Sequence, residues 1–186
     1  MPKPLFLWLI VASLLSMSAT HAASACNLTA LPLELQERLK TQFSSWKIQD
    51  SANLTESAKE LWQSEKPLAC PGIATGKFES PTLISYALLL VPLRNPHSAY
   101  RFLVFTPKNG AQAGLTIVEG ADAPGAGNFV RTVALTKVLS ATSRRKLNAA
   151  GPEGILFVYA PGDESEADVY FWAEGKYHSL PSSPHL

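Results

Sequence analysis

Ile84-Ser-Tyr-Ala-Leu-Leu-Leu-Val91 is the stretch on which the reading of this chain turns. It is almost continuously apolar, and such a run marks a strand buried in the middle of a sheet. Strand signals continue downstream of it. After a turn region from Pro92 to Pro96 comes Tyr100 to Thr106, and Lys108-Asn109-Gly110 then supplies the Asn-Gly pair that tolerates the positive φ angles of a tight hairpin. Residues 115 to 119 are expected as the returning strand. Asp122 to Asn128 is Gly/Ala/Pro-rich and reads as a surface loop. Phe129 to Leu135 alternates as a further strand, 137 to 150 fits either a short helix or a loop, and Ile155 to Ala160 is apolar again. Asp168 to Trp172, a turn at Glu174-Gly175 and Lys176 to Leu180 complete the pattern, and residues 181 to 186 read as a flexible tail.

Upstream of the strand the period changes. Leu31, Leu35, Leu39, Phe43 and Trp46 recur at three- and four-residue spacing, which predicts an amphipathic helix over 30 to 47 started by Thr29 and Pro32. A second helix is predicted over 55 to 65, with Thr55 or Asn53 as cap and Ala58, Leu61 and Trp62 on one face. Helices first and strands afterwards predict an α+β fold: two N-terminal amphipathic helices packed on a largely antiparallel β-sheet.

The N-terminus carries an address. Lys3, the apolar run from Leu5 to Leu15 and the small residues ending Thr20-His21-Ala22 have the three parts of a secretory signal peptide, predicted to span 1–22. The run is too short for a transmembrane helix, and no later stretch reaches the roughly 20 apolar residues that one needs. Removal would leave about 164 residues, the size of one domain, expected over 23–180. Sixteen basic residues face fifteen acidic ones, and Lys3 would leave with the signal. Without a basic excess, nucleic acid is not an expected partner. Arg144-Arg145-Lys146, the one basic cluster, reads as a solvated turn or helix end rather than an anion or lipid-headgroup site.

Cys26 and Cys70 are the only cysteines, and an even pair in an oxidising compartment reads as a disulfide. The competing reading is a lipid anchor at Cys26, because Ala23-Ser-Ala-Cys26 loosely resembles a lipobox. That reading would strand Cys70, and the residues from Ser16 to Ala22 separate the box from the apolar run.

Gly76-Lys-Phe-Glu-Ser-Pro-Thr-Leu-Ile-Ser-Tyr-Ala-Leu-Leu-Leu90 resembles the acidic segment of FG-GAP/VCBS-like repeats, which also occurs in small exported bacterial proteins of uncharacterised function. In those proteins, too, two helices and a Cys-Pro-Gly precede the segment, and a pair resembling Val169 to Tyr177 ends the domain. The resemblance implies a calcium loop, since closely spaced carboxylates wrap a hard cation with oxygens. Here the ligand positions read Lys77, Glu79, Pro81 and Ser85, so one carboxylate remains beside an ammonium. The packing half of the motif, Phe78 and Tyr86 to Leu90, persists, and the loop is expected to be a structural connection without metal.

No catalytic spacing stands out. Gly-x-Ser-x-Gly is absent, and His97, His178 and His185 have no zinc-ligand spacing. Asp163, Glu164, Glu166 and Asp168 are the dense carboxylate group, read as a solvated hairpin loop or a weak cation or partner contact. Gly125-Ala-Gly127 is too short for a dinucleotide fingerprint. Tyr159, Tyr170, Trp172 and Tyr177 fall on neighbouring strands, where alternation can gather them on one face. Buried, they are core; exposed, they form a binding surface for protein or carbohydrate. The expected function is a non-catalytic binding domain of the periplasm or cell envelope with a protein or envelope partner and no cofactor. The alternatives are a hydrolase built on His97, His178 or the carboxylates, and a purely structural accessory protein.

Overall fold

The computed structural model describes residues 26–65, 69–107, 114–122, 125, 127–160 and 165–185. The expected signal peptide, the turn at 108 to 110 and the pair Asp163 and Glu164 lie outside the described residues.

Two antiparallel sheets form the fold, where one was expected. In the first, β3 (Ser85–Pro92) pairs with β4 (Tyr100–Thr106), and β4 with β5 (Gly114–Ala121). The other edge of β3 is shared by β1 (Trp46–Ile48) and β2 (Ile73–Gly76). The second sheet follows chain order: β6 (Phe129–Ala134), β7 (Glu153–Tyr159), β8 (Glu166–Ala173) and β9 (Lys176–Ser182). The run from Ile84 to Val91 supplies most of β3, the central strand of the first sheet, with Ala87 to Val91 almost fully buried and Ile84 exposed just ahead of the strand.

The inner faces of the two sheets meet. Ala87, Leu89, Phe102 and Val104 of the first pack against Val130, Ile155 and Phe157 of the second. Each sheet is apolar on its outer face as well, and each outer face takes one helix. Leu35 and Leu39 of α1 (Leu33–Gln42) cover Leu88, Leu90, Leu103 and Phe105. Ala58 and Trp62 of α2 (Glu56–Glu65) cover Phe129, Leu156, Val158 and Phe171, with the Trp62 and Phe129 rings 5.1 Å apart, edge to face. The layers therefore run helix, sheet, sheet, helix. This corrects the expected class: the protein is mostly β, and its N-terminal helices lie on opposite sides of a sandwich rather than together on one sheet. The reason is area. Two sheets that are apolar on both faces present four faces to cover, and only the sheet-on-sheet contact covers the inner two.

The first helix is also shorter than its periodicity suggests. It stops at Gln42, and Trp46 belongs to β1, paired with Pro92. Ser44 and Ser45 are poor helix formers, and an edge position on β3 satisfies the backbone there instead. Thr55 caps α2 by accepting from the Ala58 amide at 3.3 Å. The ambiguous 137 to 150 region holds two short helices, α3 (Leu135–Val138) and α4 (Ala141–Lys146). Glu174 and Gly175, with φ of 52° and 80°, make the expected turn between β8 and β9. β9 runs through Ser182, two residues into the stretch expected as tail, and Arg131 donates to the Pro184 carbonyl at 2.7 Å.

Cys26 and Cys70 form a disulfide. Among the described residues no helix is long and apolar enough to cross a membrane.

Candidate functional site

All four aromatics singled out in the sequence point to the same face, the one between the sheets. Tyr170 is 8% exposed, Tyr159 and Tyr177 border the inter-sheet core, and Trp172 packs edge to face on Tyr177 at 5.0 Å. Tyr170 is thus part of the core, while Tyr159, Trp172 and Tyr177 are half-buried at its border. Three of the protein's tyrosines, Tyr100, Tyr159 and Tyr170, converge on a group that sequence reading passed over, the carboxylate of Glu119.

Glu119 reaches that position because β5 carries a β-bulge. Leu103 pairs with Ile117 while the adjacent Phe102 pairs with Glu119, so Val118 has no partner on β4. In regular alternation Glu119 would share the outer face with Leu115 and Ile117. The extra residue turns it inward, as bulges do at sites where a side chain must be re-aimed. Gly120, a glycine inside an otherwise β-forming run, is the one sequence signal for it.

The geometry of the cluster is tight. Tyr100 donates to Glu119 Oε1 at 2.5 Å, Tyr159 lies 3.0 and 3.1 Å from the two oxygens, and Tyr170 donates to Oε2. Burial, reinforced by the adjacent carboxylate, pushes all three phenols far above the usual tyrosine range. They remain protonated donors. Engaged by three hydroxyls, the Glu119 carboxylate acts as a clamp between the sheets. At another point Tyr177 donates to Glu79 at 3.1 Å, and burial followed by the Glu79 charge raises that phenol as well.

Beside the clamp, Tyr159, Glu166, Asp168 and Pro181 line a depression of about 380 Å³. Desolvation, then the charges of Glu119 and Glu166, raise the Asp168 carboxyl above its ordinary range. His97 and His178 are not brought together. His97 is exposed in the connection between β3 and β4, whereas His178 stacks on Phe171 at 5.8 Å on the outer face of the second sheet. The basic run at 144 to 146 closes α4 as a helix end.

The loop that resembles a calcium repeat joins β2 to β3. Phe78 is fully buried between the sheets, Glu79 is held by Tyr177, and the Ser85 hydroxyl bonds Thr106 at 2.7 Å. Gly151 lets the loop lie close: a Cβ there would sit 2.2 Å from the Lys77 and Phe78 carbonyl oxygens.

A different kind of site lies on the outer side of the first sheet, between α1, β1 and the disulfide. Leu28, Leu39, Phe43, Trp46, Ile48 and Leu93 line a groove of about 360 Å³, with Cys26 in one wall. Leu28 and Leu93 are exposed at its margins, 37% and 53% respectively. Lys47 at the rim is engaged by Asp50 at 3.7 Å and by Asn53 at 3.0 Å. Lys40, also at the rim, has no acidic partner among the described residues. The sequence concealed this groove, because Phe43 and Trp46 read as the end of a helical core stripe.

No protein-family model, no curated protein and no solved structure matches the chain.

Proposed function

We propose that the chain is a non-catalytic binding domain of an exported protein and that it binds through the groove beside Cys26–Cys70. One observation carries this reading. The groove is concave, largely apolar and within the roughly 300–1,000 Å³ range of ligand pockets, and a few polar groups sit at its rim. Three polar groups elsewhere are committed to the fold: Glu119 to three tyrosines, Glu79 to Tyr177, Ser85 to Thr106. The histidines invoked for a hydrolase face different surroundings.

A hydrophobic reporter dye tests the reading. Anilinonaphthalene sulfonate is expected to bind the folded protein at one site, and Leu28→Glu with Leu93→Glu to abolish its fluorescence while leaving the melting temperature within a degree or two, as exposed positions allow. Undiminished dye binding in the double variant refutes the groove as the site.

A further inference from the structure

We infer that the occupant of this groove is a single-chain anionic amphiphile, an alkyl chain ending in a carboxylate or comparable anion. The inference rests on the groove being the binding site and adds the chemistry of what fills it. Three observations point the same way. The lining from Leu28, Leu39, Phe43, Trp46, Ile48 and Leu93 offers contacts to an unbranched hydrocarbon, and Lys40, Ser44, Lys47 and Asp50 are the polar side chains that accompany it. The volume, about 360 Å³, lies near the lower end for ligand sites, so it suits one chain rather than the paired chains of a bilayer lipid. Charge decides the head. Asp50 at the rim is already neutralised by Lys47, and Lys40 is left as a cation without an acidic partner among the described residues. An amphiphile laid along the groove places its anion at that ammonium and its tail over Trp46 and Leu93. An alkylammonium would meet like charge at the same point.

Trp46 reports occupancy directly. It is half-buried in the groove wall, and the Arg101 guanidinium sits 4.8 Å from its ring. Decanoate, decanol and decylammonium, each titrated below its aggregation threshold into the delipidated protein, are followed by tryptophan fluorescence, with Trp46→Phe as the signal control. Decanoate is expected to bind about fivefold more tightly than decanol, the scale of one partly exposed ion pair, and decylammonium more weakly than either. Lys40→Glu should erase the preference for decanoate, and Lys40→Arg should keep it. Equal binding of decanoate and decanol, or a preference unchanged in Lys40→Glu, overturns the anionic head while leaving an apolar groove site in place. Response to none of the three overturns both readings. Binding to anionic vesicles without any response to monomeric decanoate overturns the amphiphile site in favour of a membrane surface.

Discussion

Glu119 shows how much one side chain can do when a bulge re-aims it. Its carboxylate joins β5 of the first sheet to β7 and β8 of the second through hydroxyls that are themselves largely buried. Glu119→Ala removes the common acceptor of Tyr100, Tyr159 and Tyr170. Leaving buried hydroxyls without partners should cost about 3 kcal/mol, seen as a fall in melting temperature of roughly 6–12 °C. Glu119→Gln, which keeps an amide oxygen as acceptor, should lose less. The same phenols set the alkaline limit of the fold. Tyr100, Tyr159, Tyr170 and Tyr177 all have folded-state pKa values above the unfolded value, so the folded state retains protons that the unfolded chain gives up. Their contribution is therefore complete below about pH 10 and declines as pH rises beyond it. Melting curves should be flat from pH 8 to about 9.5 and fall steeply above 10, while Tyr→Phe changes at 159 or 177 should soften the slope. An unaltered melting temperature at pH 11 would contradict the burial of these hydroxyls.

Among the elements, the N-terminal segment and the β2–β3 loop carry the clearest consequences. The disulfide closes a span of 44 residues, linking the turn before α1 to the segment that leads into β2. In the chain-entropy view such a closure stabilises by roughly 4 kcal/mol, so Cys70→Ser should lower stability by about 2–5 kcal/mol in denaturant titrations. It also occupies the sulfur that a lipid anchor on Cys26 would need. Non-reducing peptide mapping should recover the Cys26–Cys70 peptide pair without a lipid mass. In the β2–β3 loop, Glu79 is already hydrogen-bonded to Tyr177 and faces no second carboxylate from Lys77, Pro81 or Ser85. Millimolar calcium is expected to leave the melting temperature unchanged, because a ligand stabilises only what it binds. A calcium-dependent rise that disappears in Glu79→Ala would restore the functional repeat.

At the scale of the molecule, the sequence disclosed its strands far better than their arrangement. Runs such as Ile84 to Val91 and Ile155 to Ala160 are readable because β-strands with two covered faces must be apolar throughout. Such a run states that both faces are covered and is silent on what covers them, and the second sheet went unforeseen for that reason. Trp46 continues a helical period by coincidence, and only pairing with Pro92 draws it into β1. The aromatic group was legible as a shared face, whereas Glu119 was not, since one unpaired residue inverts all the alternation that follows it. The helix-sheet-sheet-helix order has a consequence for how the chain comes together. α2 ends at Glu65, but the surface that shields Trp62 is built from residues 129 onward, and the last strand of that sheet is β9. While the chain emerges from its N-terminus, then, the apolar side of α2 has no home until the far end has arrived. The first half cannot be a resting place, and a nascent or truncated form stopping before Phe129 would present Trp62, Ala58 and Leu54 to whatever holds unfolded chains. Protection of this helix in pulsed hydrogen exchange should appear together with that of β6 to β9, never ahead of them.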